Sequence, residues 1–367
     1  MKIKFNIAKV VFVITMFLTA CGKGDLIHAK YSLAPDLPPE LQELYAQLPV
    51  RNYGGITVIG DGILKFDSEE QVEEVMNMLR QDCDTWDDLF MNNYGEMQEE
   101  ELEELEGVLG YNEFQPLLEF EAQLNVSGLM LRDQQETVID TWLNNDMEGN
   151  IPIDSVFIDE IEQTLYNQHR EICIGEIIYQ YRPDGYVMIP EDSIESMNVY
   201  REMTLEDLES FFPVVWRMSS LIDGVTYIPD SWGGTAAVTA TNKSHWFVQG
   251  SCNTNINNAY KLKMKAKLIN FRYNENRNRW VKTRRLCSIT TEDIFYWEGY
   301  DNTSSMETYE FTQSYTNSVT EKKRRIRTDV VKCSISDLYY FYVFGVKNYP
   351  VVKIKINGVN HDTYLIH

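Results

Sequence analysis

Glu171-Ile-Cys-Ile-Gly-Glu-Ile-Ile-Tyr-Gln-Tyr181 runs into Arg182-Pro-Asp-Gly185 and out again as Tyr186-Val-Met-Ile189, and this stretch decides the fold class. Apolar residues alternate on both sides of a Pro-Asp-Gly that has the chemistry of a tight turn, so the spacing predicts a β-hairpin. Its surroundings have a different period. Upstream, Ile56-Thr-Val-Ile-Gly-Asp-Gly-Ile-Leu-Lys-Phe66 predicts a short hairpin about Gly60-Asp61-Gly62, and Asp67-Ser-Glu-Glu opens a helix. Val72, Val75, Met76 and Leu79 then recur at helical spacing on one face, with Ser68 and Gln71 placed for a capping box. Further helical patterns cover residues 99 to 109, 114 to 124, 134 to 143 and 155 to 169. Helices enclosed by strands mean an α+β fold for this half.

Downstream the pattern changes. Thr204-Leu-Glu-Asp starts one more helix, and Asp223-Gly224 through Trp232-Gly233-Gly234 reads as a boundary loop. Beyond it, Lys261-Leu-Lys-Met-Lys-Ala-Lys-Leu-Ile-Asn-Phe-Arg-Tyr273 alternates and turns back through Asn274 to Arg279 into Trp280-Val-Lys-Thr. Lysine at every second position from Lys261 to Lys267 predicts one solvated strand face at a guarded sheet edge, and Lys353-Ile-Lys-Ile repeats the pattern. The expected organisation is a signal peptide (1–20), a tether (21–50) with Pro35, Pro38 and Pro39, an acidic α+β domain (51–222) and a basic, aromatic-rich β-sandwich of six to nine strands (223–367).

Charge supports that division. Residues 211–367 hold 21 of the 33 basic residues and 13 of the 56 acidic ones, a net of +8, which leaves residues 1–210 with 12 basic against 43 acidic, a net of −31. The basic half also holds 12 of the 22 tyrosines and 5 of the 7 tryptophans. Opposite potentials favour docking of the halves on one another, the simpler alternative being that the acidic helices present solvated faces. A basic face by itself is compatible with nucleic acid, but a total charge of −23 and an export signal argue against that partner.

The phrase Ile172-Cys-Ile-Gly175 through Tyr179, with a hairpin and helices before it, resembles a group of Bacteroidota lipoproteins of the gut Bacteroides kind, over roughly residues 50 to 195. The resemblance implies an envelope lipoprotein and brings no catalytic residues with it. The amino terminus agrees with that address. Met1-Lys-Ile-Lys-Phe-Asn-Ile-Ala-Lys9 is lysine-bearing, Val10 to Leu18 has no charge, and Leu18-Thr19-Ala20-Cys21 matches the bacterial lipobox. The apolar run is about half the roughly 20 residues that a spanning helix needs. Cys21 is thus the expected lipidation site and mature amino terminus, with two or three acyl chains holding the protein in a membrane. Only Asp25 follows as an acid, short of the acidic surface-export tag of Bacteroidota, so the periplasmic face of the outer membrane is the expected location.

No motif commits the chain to a reaction. The five histidines are scattered without a His-Glu-x-x-His, there is no Cys-x-x-Cys, and neither a Gly-x-Ser-x-Gly elbow nor a phosphate-binding glycine loop occurs, so neither a metal nor a cofactor is expected. Asp146-Met-Glu-Gly-Asn150 with Asp154 has calcium-loop composition, but its glycine and closing glutamate are misplaced. Among Cys83, Cys173, Cys252, Cys287 and Cys333, the similar phrases Leu286-Cys-Ser-Ile-Thr and Lys332-Cys-Ser-Ile-Ser make Cys287 and Cys333 a candidate disulfide; Cys252 is an alternative partner, and buried free thiols are the plain reading. Ser155 in Asp154-Ser-Val and Ser193 in Asp192-Ser-Ile match the short O-glycosylation pattern of Bacteroidota. Trp232, Trp246, Trp280 and Trp297 are candidates for stacking on sugar rings, although sandwich aromatics more often pack in a core. The leading expectation is a non-enzymatic, membrane-anchored binding or structural module for a glycan or protein partner, a structural or adhesive subunit being one form of it. The alternative is a glycan hydrolase with its carboxylate pair at the junction of the halves, since that mechanism leaves no spacing in sequence.

Overall fold

The computed structural model describes residues 37–145, 152–227 and the strands that lie between residues 242 and 364; side chains are described for 37–98, 101–145, 152–216, 267–273 and 280–284. The first half runs α1 (Pro39–Tyr45), β1 (Thr57–Ile59), β2 (Ile63–Phe66), α2 (Glu69–Tyr94), α3 (Glu99–Leu109), α4 (Gln115–Gln123), α5 (Leu131–Asn144) and α6 (Glu160–Leu165). Next come β3 (Glu171–Ile174), β4 (Ile177–Arg182), β5 (Gly185–Pro190), a 3-10 turn over Glu191–Ser196, α7 (Met197–Glu202) and α8 (Leu205–Leu208). Strands follow: β6 (Val214–Tyr227), β7 (Asn242–Thr254), β8 (Ala259–Asn274), β9 (Arg279–Lys282), β10 (Arg285–Asp301), β11 (Thr308–Lys323), β12 (Arg325–Ser336), β13 (Tyr340–Tyr342), β14 (Val351–Ile356) and β15 (Val359–Tyr364). The fold is α+β, with one sheet in the order β1-β2-β3-β4-β5-β6-β7-β8-β12 plus β9 on β8, and a second in the order β11-β10-β14-β15 plus β13 on β10.

The stretch from Glu171 holds one more turn than its alternation shows. Gly175 adopts φ +61°, a conformation cheap only for glycine, and with Glu176 it folds Ile177 back onto Ile174. Strand β4 then pairs with β5 through the Pro183-Asp184 turn, as expected. Strand β2 lies parallel to β3, Lys65 opposite Cys173 and Phe66 opposite Ile174. Parallel neighbours need a long crossover, and helices α2 to α6 occupy it. The two faces of this sheet follow the strand alternation. Leu64, Phe66 and Ile172 pack with Leu79, Leu117, Phe120 and Ile161 of the crossover helices. Ile63, Cys173, Ile178 and Val187 pack on the other side with Met197, Leu205 and Leu208 of α7 and α8.

Side-chain caps set the starts of α2, α6 and α8. Ser68 Oγ accepts from Gln71 N at 3.3 Å, while the Gln71 side chain accepts from Asp67 N, one residue outside a standard box. Thr204 and Asp207 form the full reciprocal box. The helix expected over 155 to 169 contracts to α6. Asp154 Oδ1 accepts from Val156 N and Phe157 N at 2.8 Å each, and this local bonding competes with helix before Asp159 caps the start through Ile161 N.

Three expectations about organisation change. Residues 39–48, read from their prolines as tether, dock on the body: Leu41, Leu44 and Leu48 are buried with Trp86, Phe90 and Tyr111. Pro39 sits in the first turn of α1, where its missing N–H costs nothing. The division at 222/223 falls inside β6, which pairs with β5 at its start and with β7 from Arg217 to Tyr227. One strand therefore belongs to both halves, and residues Leu33–His367 form a single compact unit. Finally, the lysine-alternating strands are interior, β8 between β7 and β12 and β14 between β10 and β15, so they do not guard an edge.

The junction of β5 with β6 leaves no room for a side chain at Gly185. A Cβ there would lie 2.5 Å from the Val215 carbonyl oxygen and 3.1 Å from Leu205 Cδ1. Gly185→Ala is expected to destabilise the protein by about 1–3 kcal/mol, the ordinary range for forced overpacking. A urea midpoint equal to that of the wild type would contradict this close approach.

Candidate functional site

The acids of the crossover helices meet the bases of β8 and β9 in a buried ionic seam. Arg284 lies just after β9 and is almost fully buried, with Phe90 and Tyr111 beneath its guanidinium at 5.9 and 5.6 Å. It donates to both oxygens of Asp87 on α2, from Nη2 at 2.5 Å and Nη1 at 3.0 Å, and from Nε to Glu106 of α3 at 2.9 Å. Tyr111 donates its hydroxyl to Asp87 at 2.8 Å. Burial lowers the affinity of Arg284 for its proton, but the hydrogen bonds and charge of Asp87, with Tyr111 and Glu106, outweigh it and raise the pKa. Tyr111 is raised by burial and by the Asp87 charge. Arg284 is thus a permanent cation.

Three further pairs extend the seam. Arg272 Nη2 of β8 meets Glu103 of α3 at 2.5 Å, and Lys282 of β9 meets Glu136 of α5 at 2.7 Å. Lys267, buried within β8, donates to Glu160 Oε1 at 2.5 Å and to the Ile158 carbonyl at 2.8 Å. Apolar contact runs alongside: Ile139, Trp142 and Leu143 of α5 pack on Ile269, Phe271 and Trp280. Complementary charge does dock the acidic helices on the basic sheet. The solvated-face reading fails for Lys267, whose ammonium is inside and paired.

Two other buried networks hold the helical half. Glu171, fully shielded, accepts four hydrogen bonds: from Gln180 (3.1 Å) and Arg201 Nε (2.9 Å) on Oε1, and from Asn167 (2.8 Å) and Arg201 Nη2 (2.7 Å) on Oε2. Arg201 also reaches Asp61 in the β1–β2 turn at 2.8 Å, which ties that turn, β3 and α7 together. At the α4–α5 corner, Arg132 meets Glu121 through two bonds of 2.9 and 2.6 Å and shares its Nη2 with Asp133 at 2.6 Å. Burial pushes the Glu121 carboxyl up to about 7, against the pull of Arg132 and with a further rise from Asp133.

A carboxylate pair that hydrolysed a glycan would have to face a substrate. The junction acids Asp87, Glu103, Glu106, Glu136 and Glu160 instead face basic side chains, and four of them are buried while Glu136 is largely covered. Their geometry is that of a joint. Among the described residues no group of three or more His, Cys, Asp and Glu is placed to hold a metal ion.

Of the residues singled out from sequence, Trp280 belongs to the packed cluster under α5 and is buried. Trp246 and Trp297 lie on β7 and β10, with side chains outside the described residues, as does the whole of Trp232. Cys287 and Cys333 lie on β10 and β12, strands of different sheets. Cys252 and Cys333 both sit opposite Leu262 from its two sides, so two strand spacings, roughly 9.6 Å, separate their backbones; a disulfide reaches about 7 Å. Cys83 and Cys173 are buried, and burial pushes the Cys173 thiol up to about 11. Ser155 sits between buried Asp154 and buried Val156, whereas Ser193 has an exposed Asp192 before it. Cys21 lies outside the described residues.

Sequence reading missed Asp87, Glu106 and Arg284. A signal was present in α2, where Asp82 and Asp87 stand among Leu79, Cys83, Trp86 and Phe90 on the apolar stripe itself. Acids at core spacing call for a buried base. Comparison with protein-family models, with curated proteins and with solved structures finds no match for the chain.

Two outcomes test the charge networks. Arg284→Met leaves Asp87 and Glu106 buried without their cation and is expected to cost about 3–5 kcal/mol of stability, read by denaturant unfolding; a loss under about 1 kcal/mol would mean that the seam is solvated. Glu121 keeps its proton at pH values where the unfolded chain has lost it, so its contribution to stability is present below about pH 4.5 and falls as pH rises through about 7. Glu121→Gln should flatten that fall, and an unaltered slope between the two pH values would exclude Glu121 as its source.

Proposed function

We propose that this chain is a lipid-anchored lipoprotein of a bacterial cell envelope, of the Bacteroidota kind that it resembles, and that its folded body is a non-enzymatic binding or structural module for a protein or glycan. The observation that carries the reading is Leu18-Thr19-Ala20-Cys21 behind a lysine-bearing start and an apolar run. Small residues before the cysteine admit the signal peptidase, and the Cys21 thiol takes the diacylglycerol. Among the described residues, no helix is long and apolar enough to cross a membrane, which is compatible with attachment through lipid. With Asp25 alone after the cysteine, the periplasmic side of the outer membrane is the favoured face.

The ionic seam supports the second part of the reading. Its acids are neutralised where a hydrolase of the junction type would need them accessible, and helices clamped on long strands make a rigid support for a partner surface. The basic half is read as a β-sandwich, its two sheets formed by β6–β9 with β12 and by β10, β11 and β13–β15.

Cys21→Ala, expressed beside the native protein in a Bacteroidota host, is expected to lose both the lipid mass and the membrane sedimentation of the native form. Equal solubility and equal mass of the two proteins would refute the anchor. Turnover of envelope or dietary glycans by purified protein would refute the module.

A further inference from the structure

Between Glu191 and Phe211 the chain carries seven acids against one base, Arg201, and that base is taken by Glu171 and Asp61. One of the seven, Glu191, is met by Lys65 at 2.5 Å, and among the other six stand two apolar side chains open to solvent, Val199 on α7 at 63% and Phe211 just after α8 at 68%. Glu202 and Glu206 beside them are exposed as well.

This patch rests on fixed ground. Tyr200 meets Phe212 edge-on at 5.0 Å, and Phe211 lies 6.4 Å from Phe212, so the exposed ring extends an aromatic group already packed on the body. Met197, Leu205 and Leu208 anchor the two short helices in the core. Exposed apolar side chains on packed helices, with exposed acids close along the chain, have the composition of an interface: a desolvating anchor with charges that choose the partner. The acids disfavour an anionic lipid surface, and Val199 and Phe211 offer a sugar few hydrogen-bonding groups. A cationic polypeptide surface is complementary.

The same chain provides one. Its basic half carries a net +8 by sequence, and among its described residues Lys267, Arg272, Lys282 and Arg284 enter the intrachain seam. Acidic helices against a basic sheet is moreover the pairing that this fold already makes within itself. We propose that the Val199/Phe211 patch docks on the basic β half of a second copy, a head-to-tail contact that builds rings or open chains. The inference rests on the reading of the body as a binding or structural module and is independent of the lipid on Cys21.

The test is the mass of the full chain, purified in non-ionic detergent, followed against concentration at low and high salt for the wild type, Phe211→Ser and Glu206→Lys. Both changes are at exposed positions, and circular dichroism checks that the fold is kept. The expected result is association of the wild type that weakens with salt, and an association constant about tenfold lower in each variant. A wild type that stays monomeric at every concentration overturns the second-copy assignment and leaves the patch to a different polypeptide. Association unchanged in either variant overturns the patch. Glycan turnover would instead remove the module reading on which the inference rests, so the two failures are distinguishable.

Discussion

Arg284 cannot be where it is without Asp87 and Glu106. A guanidinium taken out of water costs several kcal/mol unless carboxylates follow it inside, and carboxylates taken inside carry the same requirement in reverse. The position of one side chain after β9 therefore fixes the positions of α2 and α3, because only those helices bring the two acids within 3.0 Å. Arg272, Lys282 and Lys267 repeat the constraint along β8 and β9 with α3, α5 and the start of α6. Such pairs are demanding rather than strongly attractive. The attraction comes from the apolar strip beside them, where Trp142, Phe271 and Trp280 lose their water. Hydrophobic contact holds the halves together, and the charges fix the register in which they meet.

Connectivity reinforces that register. Strand β6 pairs with the hairpin strand β5 at one end and with β7 along the rest, so the helical half and the β half share hydrogen bonds as well as side chains. The parallel pairing of β2 with β3 does the same within the first half, because it closes the helical crossover over one sheet face while α7 and α8 cover the other. What remains available for partners is surface, and by sequence the two halves carry opposite net charge.

Much of this was legible from residues alone. Alternation about Pro183-Asp184-Gly185, the helical stripe of Val72, Val75, Met76 and Leu79, and the caps at Ser68 and Thr204 are all local: each depends on neighbours within a turn or a strand, and each is present in the structure. Opposite charge on the two halves was legible too, as a tendency to dock. The turn at Gly175 was hidden because apolar residues on both sides of it keep an unbroken alternation, and the loss of helix before Asp159 was hidden because Asp154 competes through side-chain bonds that no periodicity reports.

By itself the sequence determined the α+β class, the helix starts at Ser68 and Thr204, the turn at Pro183-Asp184 and the separation of acid from base, because these follow from residues close along the chain. Tertiary structure alone decided which charges are buried. Lys267 closes a run of alternating lysines that by local pattern reads as a solvated strand face, and its ammonium is inside against Glu160, 107 residues earlier. Whether a lysine meets water or a carboxylate depends on which helix the fold lays across the strand, and that is a property of long-range packing that no local pattern carries.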